Sequence, residues 1–194
     1  MLETAIDLIV RHGVQGTTLK EVGEAAGYSR SLAGYRFGSK EGLVNHVVRS
    51  IGDEWLTALK QVTRGKVGLE AICAATDAHY RFCLDAPNHV LAFYLLWFES
   101  VRPDSTCKEI MSGIARRRQR DVAAWIREGI VQGTVGPCVD PDTIAGQFCS
   151  ALIGIVYHWL VKPDAMDEIE TLHEGLKSVM GVLLSPKADE ESEQ

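Results

Sequence analysis

Apolar residues recur every three or four positions along nearly the whole chain, and no segment shows the period-two alternation of a half-buried strand. The pattern predicts an all-α protein. Leu2, Ala5, Ile6, Ile9 and Val10 form the stripe of a first helix, which His12-Gly13 stops. Thr18 followed by Glu21 has the spacing of a capping box, opening a short helix with Leu19, Val22 and Ala26 inward and Gly27 at its end. Ser29 caps a third helix that runs to about Tyr35. After the break at Gly38, Ser39 caps a long fourth helix whose stripe is Leu43, Val44, Val47, Val48, Ile51, Trp55, Leu59 and Val62. Further helices are predicted over 66–85, 88–101, 105–132, 141–161 and 165–184. Pro87, Pro103, Pro137, Pro141 and Pro163 punctuate them, because proline suits a first helical turn and not an interior. The organisation that follows is an N-terminal three-helix domain over 1–46, a helical bundle over 47–186 and a disordered acidic tail over 187–194.

Composition narrows the function classes. With 194 residues, 46% hydrophobic and 24% charged, the chain can bury a core and is not a disordered polymer. Its formal charge of −6 excludes a polycation that coats nucleic acid or anionic lipid. The charge is uneven, however. Residues 1–52 hold six cations (Arg11, Lys20, Arg30, Arg36, Lys40, Arg49) against five acids (Glu3, Asp7, Glu21, Glu24, Glu41), so only this part would not repel a polyanion. Five scattered cysteines without a C-x-x-C pair indicate neither a disulfide framework nor a zinc site, and no metal or cofactor is expected. A reducing cytoplasm is the expected location. The apolar run from Ala151 to Val161 is shorter than the roughly 18 residues of a membrane span, and Glu3 and Asp7 break any leader pattern. Glu170-x-x-His173 is a single copy of a ligand pair that a di-iron bundle needs twice, and no phosphate loop or nucleophile elbow occurs, so no enzyme is expected.

Two short helices joined by a glycine turn and set on an amphipathic helix are the parts of a helix-turn-helix reader of the major groove. The second must start with short polar or cationic side chains that reach base edges, as Ser29, Arg30 and Ser31 do. Spacing alone fits equally well a helical protein-interaction or ligand-binding bundle without specific DNA binding. The stretch Ala5 to Leu43 resembles the N-terminal domain of the tetracycline-repressor (TetR) family, through A-x-x-L-I-V-x-x-G, T-T-L-K-E-V-G-E-A-A-G-Y-S and F-G-S-K-E-G-L. The resemblance implies a homodimeric regulator of transcription, a repressor, that binds double-stranded palindromic operator DNA and is released by a small, mostly apolar effector. It implies that Thr18, Tyr35 and Lys40 lie against phosphates, that Ser29, Arg30 and Ser31 lie nearest the bases, and that Arg36 belongs to the same surface. Helix first turns favour phosphate at Thr18 and Lys40, and Arg30 can fork onto guanine. Two departures stand out. Gly34 occupies a position where the family commonly has tyrosine, which removes one contact and shortens the recognition helix; the chain also starts at the first helix without the family's short basic arm, as a truncated start would explain.

The larger part is expected to dimerise and to hold the effector. The helix over 141–161 is apolar nearly all round and the last helix carries a second stripe, predicting a four-helix interface through Phe148, Leu152, Ile155, Trp159, Leu172, Leu176 and Val179. Aromatic and sulfur side chains supply an apolar pocket with a few polar anchors, and the candidates are His79, Tyr80, Cys83, Tyr94, Trp97, Phe98, Arg118, Trp125 and Phe148. Arg118 falls at the centre of the stripe Cys107, Ile110, Met111, Ile114, Val122 and Trp125 while Arg116 and Arg120 face outward, so it must meet an internal acid or a polar group of a ligand.

Overall fold

The computed structural model describes residues 1–186, and the acidic tail expected over 187–194 lies outside them. The described residues form helices α1 (Leu2–Gly16), α2 (Leu19–Ala25), α3 (Arg30–Phe37), α4 (Lys40–Thr63), α5 (Gly68–Asp85), α6 (Pro87–Glu99), α7 (Lys108–Val131), α8 (Pro141–Val161) and α9 (Met166–Leu184), and no strand. The caps read from the sequence are in place. Thr18 and Glu21 form the reciprocal capping box, Ser29 Oγ accepts from the Leu32 amide, and Ser39 Oγ accepts from the Gly42 amide at 3.0 Å. Asp140 accepts from the Asp142 amide with Pro141 in the first turn of α8. Two ends differ from expectation. Gly13 bends the backbone with φ +70° but the chain resumes helical geometry to Gly16, and α3 continues beyond Tyr35 because burial of Phe37 outweighs the cost of Gly34.

The chain folds as two compact units, one joining Met1–Thr57 to Phe82–Ile114 and the other joining Ala58–Arg81 to the chain from Ala115 onward. This division differs from a boundary at residue 46. The reason is α6, which packs on α1 and is tied to it by polar contacts: Asn88 donates to Asp7 at 2.8 Å and Gln15 donates to Glu99 at 2.7 Å. The core of the first unit is built from Ala5, Ile6 and Ile9 of α1, Val22 of α2, Ala33 and Phe37 of α3 and Leu43, Val44, Val47 and Val48 of α4. In the second unit α8 packs on α9, burying Phe148, Leu152, Ile155 and Trp159 from α8 with Ile169, His173, Leu176 and Met180 from α9. At 21 residues and a mean hydropathy of 1.5, α8 is long and apolar enough to cross a membrane by length and composition. Its buried side chains and its packing on α9 give it the character of a core helix.

His89 on α6 is the most heavily engaged of the polar ties. One ring nitrogen meets Glu54 of α4 at 2.7 Å and the other meets Glu3 of α1 at 2.8 Å. Two carboxylates need two N–H donors, so the ring is an imidazolium. Burial opposes that charge, but the hydrogen bonds to Glu3 and Glu54 outweigh it and hold the imidazole above its ordinary value of 6.5. A raised folded-state value gives stability that is complete below the unfolded value and lost as pH rises through the folded one. Urea unfolding should therefore show a loss starting near pH 6.5 and complete above the folded value, of at most about 1 kcal/mol because both carboxylates face solvent. His89→Gln should remove that step.

Candidate nucleic-acid interface and interior sites

The α2–α3 pair is built so that one face is consumed by packing and the other is left for contact. Gly27, with φ +75°, makes the reversal. Val22 and Gly23 are buried beneath the pair, and α3 is pinned by Ala33 and Phe37 alone. Gly42 completes the frame: a Cβ there would sit on the Phe37 carbonyl, so only glycine lets α4 start this close to the end of α3. What remains outward on α3 is Arg30, Ser31, Leu32, Tyr35 and Arg36. Tyr35 is 89% exposed, and the Arg36 guanidinium lies over the Phe37 ring.

A shallow hollow lined by Thr18, Leu19, Lys20, Arg30, Gly34, Gly38 and Lys40 runs between the start of α2, the face of α3 and the start of α4. Three cations and two first helical turns meet there, the arrangement that attracts phosphate. Thr18, Arg30 and Lys40 are thus brought together as expected, with Ser29, Ser31, Tyr35 and Arg36 on the adjoining turn and helix. Their partners add detail. The Thr18 hydroxyl donates to Glu21 at 2.8 Å and its amide donates to the same carboxylate at 2.9 Å, bonds that hold Glu21 below the usual carboxylate range. Ser29 Oγ is occupied as the α3 cap, and Lys40 Nζ donates to the Gln15 carbonyl at 2.9 Å. Lys20, absent from the sequence-based set, meets the criterion that selected Lys40, a cation in a first turn. Tyr28 and Leu32 are also outward, 51% and 42% exposed; their apolar character gives no sequence signal for that placement.

The expected pocket residues divide between the units. In the first, Tyr94 and Trp97 form a ring pair with centroids 6.4 Å apart, Phe98 is half-buried and Cys83 is buried. Burial pushes the Cys83 thiol up to about 12. The second unit holds His79, Tyr80, Arg118, Trp125 and Phe148, of which Phe148 is a core residue. Its polar centre includes a residue outside the expected pocket set. His79 Nδ1 lies 2.9 Å from Nε2 of His173, while His173 Nδ1 lies 2.7 Å from the Ile169 carbonyl oxygen. A carbonyl only accepts, so His173 carries its proton on Nδ1 and its Nε2 accepts from His79 Nδ1–H. Both rings are neutral. Burial, then the neighbouring His173, then the charge of Arg118 push His79 well below the ordinary value, and burial lowers His173 in the same way. Arg118 is half-buried, and its charge also opposes the burial that raises the Cys149 thiol. It therefore acts on the interior of this unit, whereas Arg116 and Arg120 are exposed, as expected.

Of the residues expected at a dimer interface, Phe148, Leu152, Ile155, Trp159 and Leu176 are buried within the single chain, and Leu172 and Val179 are exposed. The apolar surface left outward on α8 and α9 is Tyr157, Val161, Leu172, Val179, Val182 and Leu183. Gly154 and Gly175 are exposed on the same helices with open space around them.

Residues 1–47 match the family described as bacterial regulatory proteins, tetR family. The HTH-type transcriptional regulator RutR of Escherichia coli (strain K12) is 39% identical over 142 residues, which are 73% of this chain and 65% of that protein. The chain thus spans slightly less than two thirds of that relative's length. Among solved structures, a TetR-family transcriptional regulator from Rhodococcus sp. superposes with a TM-score of 0.77 at 20% identity, over 95% of this chain and 96% of that one. AibR, solved in complex with isovaleryl coenzyme A and operator DNA, gives 0.74 at 22% identity over 95% and 96%.

The Lys40–Gln15 contact ties the start of α4 to an otherwise unpaired carbonyl in the last turn of α1. Lys40→Ala should cost about 1 kcal/mol without any DNA present, lowering Tm by about 2–4 °C. An unchanged melting curve would leave Lys40 only its electrostatic part.

Proposed function

The chain belongs to the tetR family of bacterial regulatory proteins, and we propose that it is a homodimeric repressor that binds palindromic double-stranded DNA and is released by a small, mostly apolar effector. The observation that carries this reading is the outward face of α3: Arg30, Ser31 and Tyr35 beside a hollow that gathers Lys20, Arg30 and Lys40. Tyr35 offers a hydroxyl on a stiff ring, Arg30 a planar fork for guanine, and the first turns of α2 and α4 offer free amides and the positive dipole end to phosphate. Ser29 contributes through its backbone and cap, while Thr18 must share its hydroxyl with Glu21. A reader of DNA works in the cytoplasm, where its operator is.

Half-sites one helical turn apart need two copies of α3. The pairing surface we assign is the exposed part of α8 and α9, where Tyr157, Val161, Leu172, Val179 and Val182 form an apolar face and Gly154 and Gly175 allow a second backbone to approach. The core residues behind it, Phe148, Leu152, Ile155, Trp159 and Leu176, give that face its rigidity. For the effector, the neutral imidazoles of His79 and His173 and the cation of Arg118 are the polar anchors, with Tyr80 and Trp125 as apolar lining. The complex of AibR with isovaleryl coenzyme A and operator DNA is a precedent for such a pairing of ligand and DNA in this fold. Enzyme chemistry has no part in this reading.

The reading is tested by selecting genomic fragments on the purified chain and titrating the best duplex by fluorescence anisotropy. Affinity should fall steeply as salt rises. Arg30→Ala should narrow the gap between operator and random duplex, by about 1–3 kcal/mol at one base pair, with the salt slope nearly kept. Salt-independent binding, or an Arg30→Ala chain with unaltered preference, would overturn it. Val179→Glu places a charge in the pairing surface; sedimentation should show single chains and operator affinity should collapse, with helix content kept.

A further inference from the structure

We propose that His79, Cys83 and His173 form a buried site for one cuprous ion. All three side chains are buried and offer one ligand atom each, two imidazole nitrogens and a thiol sulfur. α5 supplies two of them: Cys83 follows His79 by one turn of the same continuous helix, the spacing at which side chains share a face. α9 supplies the third, with His173 Nε2 already 2.9 Å from His79 Nδ1.

The surroundings of His173 prepare it as a ligand. Its Nδ1–H is spent on the Ile169 carbonyl, which fixes the ring and turns the Nε2 lone pair inward. Metal-bound histidines characteristically give their second N–H to such an outer acceptor. Metal–nitrogen bonds of about 2.0–2.1 Å set two ligating nitrogens about 3.4–3.6 Å apart, so the two rings need to part by only about half an ångström. Loading moves the His79 proton from Nδ1 to Nε2. The Cys83 S–H bond breaks, a sulfur–copper bond forms, and the thiol proton leaves to solvent; no electron is transferred.

Charge selects the ion. A thiolate with imidazoles is a soft donor set that suits Cu(I) and zinc. The positive charge of Arg118 reaches His79, and the nearby carboxylates of Asp77 and Glu174 are both taken by Lys177 at 2.7 Å. One thiolate neutralises a monovalent ion. A dication would leave a net positive charge buried beside Arg118, at a desolvation cost that nothing in the group offsets. The sequence gives no hint of this site, because its ligands share no short motif.

The test is anaerobic titration of the full chain with Cu(I) against a chromogenic Cu(I) chelator, followed by X-ray absorption on the loaded protein. One ion should bind per chain with release of one proton, and the absorption spectrum should show two nitrogen neighbours and one sulfur. Cys83→Ala and His173→Gln should each weaken binding on the order of a hundredfold, and Cys73→Ala should leave it unchanged. Sulfur-only coordination, binding indifferent to both variants, a preference for zinc over Cu(I), or no competition with the chelator would each overturn the proposal. The absorption spectrum of the unaltered chain decides the matter even where a variant fails to fold, and none of these outcomes bears on DNA binding.

Discussion

An isolated eight-residue helix does not hold together in water, so α3 owes its existence to what lies beneath it. Two side chains do that work: Ala33, completely buried, and Phe37, 5% exposed. Because anchoring is confined to one edge of the helix, the others are free of structural duty, and Arg30, Ser31, Tyr35 and Arg36 can be chosen for contact alone. The surrounding glycines follow from the same constraint. Gly27 must turn the chain in the space of a few residues, and Gly42 must let α4 begin against the Phe37 carbonyl. A side chain at Gly42 would push away the end of α3 that Phe37 secures.

Much of this was legible in the sequence, and for physical reasons. Caps and prolines are local signals, so the ends of α2, α4, α5, α8 and α9 fall within three residues of those expected. The exposed side chains of α3 were legible as well, since polar residues at the start of a short helix have no core to enter. Periodicity, by contrast, reports that a residue is covered and not by what. Phe148, Leu152 and Trp159 lie on a stripe whose cover is this chain's own α9, and the surface that remains for a second chain comes from Leu172, Val179 and their exposed neighbours. Contacts between distant positions were beyond reach for the same reason. Nothing near Lys40 in the sequence points to the Gln15 carbonyl, and nothing near His79 points to a ring 94 residues away.

The His79–His173 pair shows how one backbone group can set the chemistry of an interior. The Ile169 carbonyl decides the tautomer of His173, that tautomer decides the direction of the hydrogen bond from His79, and burial keeps both rings neutral. Protonating either ring would set a donor against a donor inside the protein. The pair is thus stable as it stands and offers lone pairs in place of charge. That is the opposite of His89, where two carboxylates demand the charged form and solvent is close enough to permit it.

The place of α6 bears on how an effector could act. It lies outside the family-matched residues 1–47, yet it packs on α1 and is held there by Asp7, Glu3, Glu54 and Gln15. Each of those ties faces solvent and is worth no more than about 1 kcal/mol, so together they make a junction that a ligand can rearrange without dismantling the core. An effector can shift a conformational balance only by its difference in affinity for the two states. Separate weak polar ties leave that difference within the reach of a small molecule, where a fused hydrophobic seam between α1 and α6 would not. The polarity of the α1–α6 junction is therefore itself an argument for regulation, independent of what the regulator binds.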